Sequence, residues 1–294
     1  MGNPDRFRER RFLTDLARAA RQHPGWNNVV DSIVVVSAHP RHTRWPELEQ
    51  APGRRFILAI GNENGVVRPE LRQAGVAIAQ QYVRPSTDDG PPVLPLPLGP
   101  GGPEDAPPLA RSRDLDVVFI GHLHRHRWPL ARRLGCVRPM ARWLPDTLLS
   151  STRDVLLQRP TLDGLSHVIA FTHRFGSGRP RPAYLDLLHR AHIALVPRGF
   201  KQAETFRHHE AARAGCVLVG TPLPDRRYPV LEPPPDRPLH TWLLDLLSQP
   251  HRLEAARAAV VHAWNTRGRP DRVGTELARQ VLERLRPHEA SPVG

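Results

Sequence analysis

The sequence predicts an α/β protein of two domains, each a parallel sheet covered by helices. Three observations carry that expectation. Short β-branched runs such as Asp31–Ser37 and Asp116–Ile120 are apolar without alternation, the pattern of strands buried on both faces. Helix-compatible stretches fill the gaps between the runs, as right-handed crossover connections require. A segment dense in proline and glycine interrupts the alternation, and the strand–helix pattern resumes beyond it.

In order, a helix over Arg6–Gln22 precedes strands at Asp31–Ser37, Arg55–Ile60 and Val76–Ala79. From Arg84 to Ala110 proline and glycine are too dense for helix or central strand, so the stretch reads as an extended linker; a long surface loop within one domain is the alternative. Beyond it come strand Asp116–Ile120, helix Arg127–Leu134, strand His167–Phe171, helix Arg181–Arg190 and strand His192–Val196. Helix Glu204–Ala214 and strand Cys216–Val219 follow. A second Pro-rich stretch, Tyr228–Arg237, leads to helices at Arg252–Trp264 and Arg272–Leu285. The expected division is a Rossmann-like domain over residues 1–110 including the linker, a second over 111–270, and a helix and tail over 271–294 that could cross back to the first. Two such domains facing each other across a cleft would place a ligand at the C-terminal edges of their strands.

Composition narrows the function classes. The chain has 294 residues, with 42 Lys+Arg against 29 Asp+Glu and a formal net charge of +13. Lys201 is its one lysine, and with 33 prolines the arginine excess reflects the coding bias of a GC-rich genome. The total charge is therefore a poor guide to a nucleic-acid partner. Hydrophobic residues at 39% and charged residues at 24% permit a packed core and argue against global disorder. No apolar run reaches the ~18–20 residues of a membrane span, and Met1–Arg11 lacks the apolar stretch of a secretory signal. Two cysteines, Cys136 and Cys216, are too few for a disulfide framework or a Cys-based zinc site. The expectation is a soluble, cytoplasmic, bacterial-type protein.

The stretch Tyr184–Gly220 carries the chemistry, as helix, strand, polar loop, helix and strand. Its loop Pro197–Ala203 holds Arg198, Gly199 and Lys201, with Thr205 at the helix start. Backbone N–H groups at a helix N-terminus plus nearby cations make an anion site, with phosphate the usual occupant. Gly199 would let the backbone turn tightly. Arg207 and Glu210, three residues apart, share a helix face. The arginine can fork onto a diphosphate, and the carboxylate can accept two vicinal ribose hydroxyls. The same spacing also suits an ordinary surface ion pair.

That stretch resembles the signature of exostosin-type glycosyltransferases, in which a strand ending in Pro-x-Gly leads to an Arg-x-x-Glu-Ala helix and a Gly-Cys strand. It is carried here by Pro197, Arg198, Gly199, Arg207, Glu210, Ala211, Gly215, Cys216 and Val217, after a lead-in helix with Tyr184, Leu187, Leu188 and Ala191. Val118–Gly121, Arg127 and Leu134 resemble the strand and first helix opening the family's C-terminal domain. Ile60-Gly61-Asn62-Glu63 resembles a Gly-Asp-Glu element of related enzymes, and Val93–Gly99 a segment entering the interdomain linker. Two departures stand out: Gln202 occupies the position of the first glutamate of a retaining Glu-x7-Glu motif, and the family's proline before its final valine is Val217 or Leu218 here. The resemblance implies a GT-B fold, with the nucleotide-diphosphate sugar as co-substrate on the C-terminal domain and the acceptor mostly on the N-terminal one. It implies an inverting hexosyl- or pentosyltransferase, in which Arg198, Lys201 and Arg207 stabilise the leaving diphosphate and Glu210 holds the ribose.

Other residues compete for roles. Glu63 follows an apolar strand and could deprotonate an acceptor hydroxyl, or be a polar turn residue. His39, in the loop after Asp31–Ser37, is a rival base. His122, His124 and His126 alternate after a strand; in extended conformation they would point one way and could bind a transition metal, while His122 alone could touch phosphate or sugar. Gly176–Arg179 and Arg174 could contact the nucleobase or simply turn the chain. No Walker or GxGxxG motif occurs, disfavouring P-loop NTPases and dinucleotide dehydrogenases. Asp114-Leu115-Asp116 precedes its strand rather than ending it, so a diphosphate site built from side-chain cations, without metal or other cofactor, is expected. The rival class is a non-catalytic Rossmann-like protein binding a nucleotide or a polyanion such as RNA.

Overall fold

Two sheets carry the chain, and every strand pair in both is parallel. The computed structural model describes residues 9–83, 90–100, 112–138, 160, 162–172 and 180–285. Arg174, the Gly176–Arg179 loop, and residues 84–89 and 101–110 of the Pro/Gly-rich segment lie outside the described residues. One unit comprises residues 1–101 with 269–294, the other residues 102–268. Strands β1 (Ser32–Ser37), β2 (Arg55–Ile60), β3 (Ala77–Gln80) and β4 (Val93–Pro95) belong to the first unit. The second unit holds β5 (Leu115–His122), β6 (His167–Thr172), β7 (Ala191–Val196), β8 (Val217–Gly220) and β9 (Val230–Leu231). The helices are α1 (Arg10–Arg21), α2 (Pro46–Gln50), α3 (Pro69–Ala74), α4 (Trp128–Arg133), α5 (Arg181–Arg190), α6 (Phe206–Arg213), α7 (Leu239–Leu247), α8 (Pro250–Ala263) and α9 (Pro270–Leu285).

In the first unit the strands run in the order β1-β2-β3-β4. Phe56, Leu58 and Ile60 of β2 pack with Phe12, Leu16 and Ala20 of α1 and with Val273, Leu277 and Val281 of α9. Ile57 and Ala59 face the other way, against Trp45, Leu48 and Leu71 around α2 and α3. A strand buried on both faces has no polar side to show, which is why it reads as an unbroken apolar run. The Pro/Gly-rich segment corrects the linker reading in part, because Val93–Pro95 adds β4 beside β3. Its prolines are tolerated at the sheet edge, where Pro92 O and Leu96 N–H still bond Ile78 and Gln80. The second Pro-rich stretch likewise carries the short edge strand β9. Helices α2 and α3 were not expected: five and six residues long, each opening on proline, they are too short for a helical period to show.

The second sheet has the order β6-β5-β7-β8-β9. From β5 the chain adds β6 on one side and then crosses to β7 on the other, so the direction of winding reverses between β5 and β7. One face packs Phe119, Ile193 and Val219 with Trp128, Trp242 and Leu243; the other packs Val118, Val196 and Leu218 with Leu188, Ala211 and Val260. Arg113, just before β5, donates to the carbonyls of Leu188, Ala191 and Ala214, closing the C-terminal ends of α5 and α6.

Two packing details have measurable consequences. His208 is fully buried at the third position of α6; its Nε2–H donates to Thr221 O at 2.9 Å, so Nδ1 accepts from Thr205 Oγ1 at 3.0 Å and Thr205 N at 3.3 Å. Burial pushes its pKa down to about 4. The unfolded chain takes up that proton near 6.5, so stability is intact above this pH and falls as pH drops towards 4, by about 3 kcal/mol for the full window. The slope of chemical-denaturation stability against pH should therefore flatten in His208→Gln. At Gly274, a Cβ would lie 2.2 Å from Leu16 O and 3.0 Å from the Ala19 side chain, so α9 touches α1 through bare backbone. Gly274→Ala should lower stability by about 1–3 kcal/mol through overpacking, read as a lower urea midpoint.

Candidate functional site

In an open parallel sheet the loops leaving two strands on either side of a winding reversal diverge, and a crevice forms at their C-terminal ends. Here those loops are 123–127 after β5 and 197–205 after β7. Arg127 ties them together: its Nη1 donates to His122 O at 2.8 Å and its Nε to Arg198 O at 3.3 Å. Arg207, in the first turn of α6, donates Nε to Ile120 O at 2.7 Å. Both guanidiniums lie over the Phe119 ring, 5.8 and 5.6 Å from its centroid.

The two cations meet above Gly121. A Cβ there would come within 2.8 Å of Arg207 Nη2, 2.9 Å of Arg127 Nη1 and 2.8 Å of Phe119 Cζ. The guanidinium ends occupy the place of a side chain, so any larger residue here would have to displace them. Arg127 is only 4% exposed, and among the described residues no carboxylate pairs with it or with Arg207. Burial first, and then the charge of Arg207, push the pKa of Arg127 down to about 9. Two like charges this close in a sheltered place raise each other's energy, and an anion accepting from both relieves it.

The structure distributes the sequence-predicted residues unevenly around this centre. Arg207 is part of it. Arg198 contributes its carbonyl, while its Nη2 bends back to Lys201 O at 3.3 Å. Gly199 has no left-handed backbone; a Cβ would instead sit 3.0 Å from Gln202 O, the acceptor of Gly199 N–H at 2.8 Å, so crowding and not φ explains the glycine. Lys201 is exposed, and Thr205 is buried against His208. Glu210 is 2% exposed and accepts from Arg181 Nη2 at 2.7 Å, so Arg207 and Glu210 turn to different partners and form no surface pair with each other. His122 is half-buried, its carbonyl held by Arg127. The histidine run is not one extended strand: β5 ends at His122 and a 3-10 turn begins at Arg125. Among the described residues no group of three or more His, Cys, Asp or Glu is placed to hold a metal ion.

The first unit's candidates lie on loops at the C-terminal ends of β1 and β2. Gly61 takes φ +79° and donates to Gln81 Oε1 at 3.0 Å; Gln81 in turn donates to Glu9, which also accepts from Gly99 N–H. Glu63 is half-buried on this braced loop. His39 is exposed and its Nδ1 accepts from Arg41 N–H at 3.2 Å, which leaves Nε2 as a donor in the neutral ring. Sequence reasoning missed Arg127 as a site residue, and missed Arg181 and His208 as supports. The signals for Arg127 were its place a few residues beyond a strand that ends in Gly-His and its part in the resemblance to the family's first C-terminal helix.

No protein-family model matches the chain, and no curated protein matches it. Among solved structures it is similar to AviGT4, a glycosyltransferase involved in avilamycin A biosynthesis, at 16% identity over 95% of this chain and 90% of that one, with a TM-score of 0.49. It is also similar to the pneumococcal O-GlcNAc transferase GtfA in complex with UDP and GlcNAc, and to a GtfA/B complex. Each is 12% identical over 78% of this chain, with TM-scores of 0.37 and 0.32. The chain spans about half the length of those two, 45% and 46%.

Proposed function

We propose that the chain is a glycosyltransferase that moves a sugar from a nucleotide-diphosphate donor to an acceptor hydroxyl. The observation that carries this reading is the convergence of Arg127 and Arg207 over Gly121, at the winding reversal of the second sheet. Two guanidiniums can fork onto a diphosphate and stabilise the charge that grows on it as the glycosidic bond breaks. Side-chain cations then do the work a metal ion would do, so the proposed transfer is metal-independent.

The donor's ribose would lie towards Glu210 and Arg181, and an inverting transfer of the exostosin-like kind would follow from attack opposite the leaving group. Acceptor activation falls to a base on the loops of the first unit. Glu63 suits the task better than His39, whose Nδ1 lone pair is already engaged.

A thermal-shift panel of UDP, TDP, GDP, ADP and CDP, followed by transfer assays with the matching nucleotide sugars in EDTA, tests the reading. One diphosphate should stabilise the wild type, and its sugar should be transferred with the chelator present. Arg207→Ala should weaken that diphosphate by about 10–100-fold, the loss expected for a charged hydrogen-bonding group, with partial recovery in Arg207→Lys. Binding without transfer would instead mark a non-catalytic nucleotide-binding protein, and undiminished binding by Arg207→Ala would remove the anion site.

A further inference from the structure

Beside the paired arginines stands a histidine that the reaction as drawn does not use. His124 is 8% exposed and lies in extended conformation just before the 3-10 turn, its carbonyl accepting Arg127 N–H at 2.7 Å. Among the described residues neither ring nitrogen has a hydrogen-bond partner, and both are shut off from solvent. Phe200, half-exposed on the 197–205 loop, covers the ring edge-to-face at 5.6 Å and 86°. His122 and His126 flank it at 6.2 and 6.0 Å. A buried imidazole with two unpaired nitrogens is costly, and natural folds keep such groups where function satisfies them.

The charged and titratable groups acting on this ring are Arg127 from its own turn, Arg207 from α6, and His122 and His126 from the flanking chain. Arg125 lies over the Phe200 ring, 5.9 Å from its centroid. None of these is acidic. Burial first, then Arg127, keep the ring neutral, its pKa pushed down to about 3. An anion lying across Arg127 and Arg207 offsets that positive field and brings the acceptors the ring lacks.

We propose that His124 is the proton-taking member of the anion site: when a diphosphate seats on Arg127 and Arg207, the ring takes one proton from solvent and donates N–H to a phosphate oxygen. When the anion leaves, the proton returns to solvent, so protons balance over a cycle. This deepens the reading above and rests on its anion site, but it does not need sugar transfer in order to be measured.

Calorimetry of inorganic pyrophosphate binding to the full chain, near pH 6.5 in buffers of different ionisation heat, counts the protons taken up. The wild type should take up roughly half a proton more than His124→Gln; the ligand's own titration is common to both and cancels. Affinity should rise about fourfold more in the wild type than in the variant as pH falls from about 7.5 to about 6. Phe200→Ala guards against a misfolded His124 variant: opening the ring to water lets it protonate before binding, so uptake should shrink while pyrophosphate still binds. Equal proton counts in wild type and His124→Gln, or unchanged uptake in Phe200→Ala, would overturn the proposal. A wild type that does not bind pyrophosphate would overturn the anion site and the proposal together. His124-dependent uptake without turnover of any nucleotide sugar would support the proposal and remove only the glycosyltransferase reading.

Discussion

The reversal of strand order at β5 is the constraint on which the candidate site depends. With β6 on one side and β7 on the other, the loops leaving β5 and β7 part from each other, and backbone carbonyls at Ile120, His122 and Arg198 are left at the edge of the sheet. Arg127 and Arg207 answer those carbonyls, and doing so sets the direction in which their remaining N–H groups point. Gly121 leaves them room, since the guanidinium ends fill the volume a side chain would take. Strand topology, hydrogen bonding and residue identity are here one chain of cause.

The electrostatics of this centre differ in kind from those of the surface. Arg279, on α9, pairs with Glu276 and Glu283, and Arg54 pairs with Asp31, all of them substantially exposed. Solvent screens such pairs, and their removal changes little. Arg127 has the opposite situation, buried among cations and neutral rings with carbonyl dipoles as its partners. A net charge of +13 says nothing of this contrast, because it counts an exposed arginine and a buried one alike.

What the sequence showed followed from how locally each feature is determined. The buried parallel strands were legible because burial on both faces leaves an unbroken apolar run, as in Arg55–Ile60 and Leu115–His122. The edge strands Val93–Pro95 and Val230–Leu231 were not, since their pairing comes from a neighbour distant in sequence while their own residues argue against strand. Arg207 was legible from its place in a loop–helix pattern. The sequence pointed to Arg127 as part of a helix start and to His124 as a metal ligand, but not to their place beside Arg207, because that comes from the adjacency of β5 and β7, some seventy residues apart in the chain. Thr205 and Glu210 were singled out as ligand-binding residues of a loop–helix pattern, and within the unit Thr205 meets His208 on α6 and Glu210 meets Arg181 on α5. A motif shows that a side chain is constrained; the folded neighbourhood shows by what.

The contact of α9 with α1 through Gly274 bears on the order in which the chain folds. The core begun by Phe12, Leu16 and Ala20 is completed only by Val273, Leu277 and Val281, and everything between residues 102 and 268 is made before those three exist. During synthesis the second unit thus has all its strands in hand while the first still shows an apolar helix face and one uncovered side of its sheet. Domains usually mature from the N-terminus onwards. In this chain the unit that starts first is completed after the second has been made, and until then its apolar face stays uncovered.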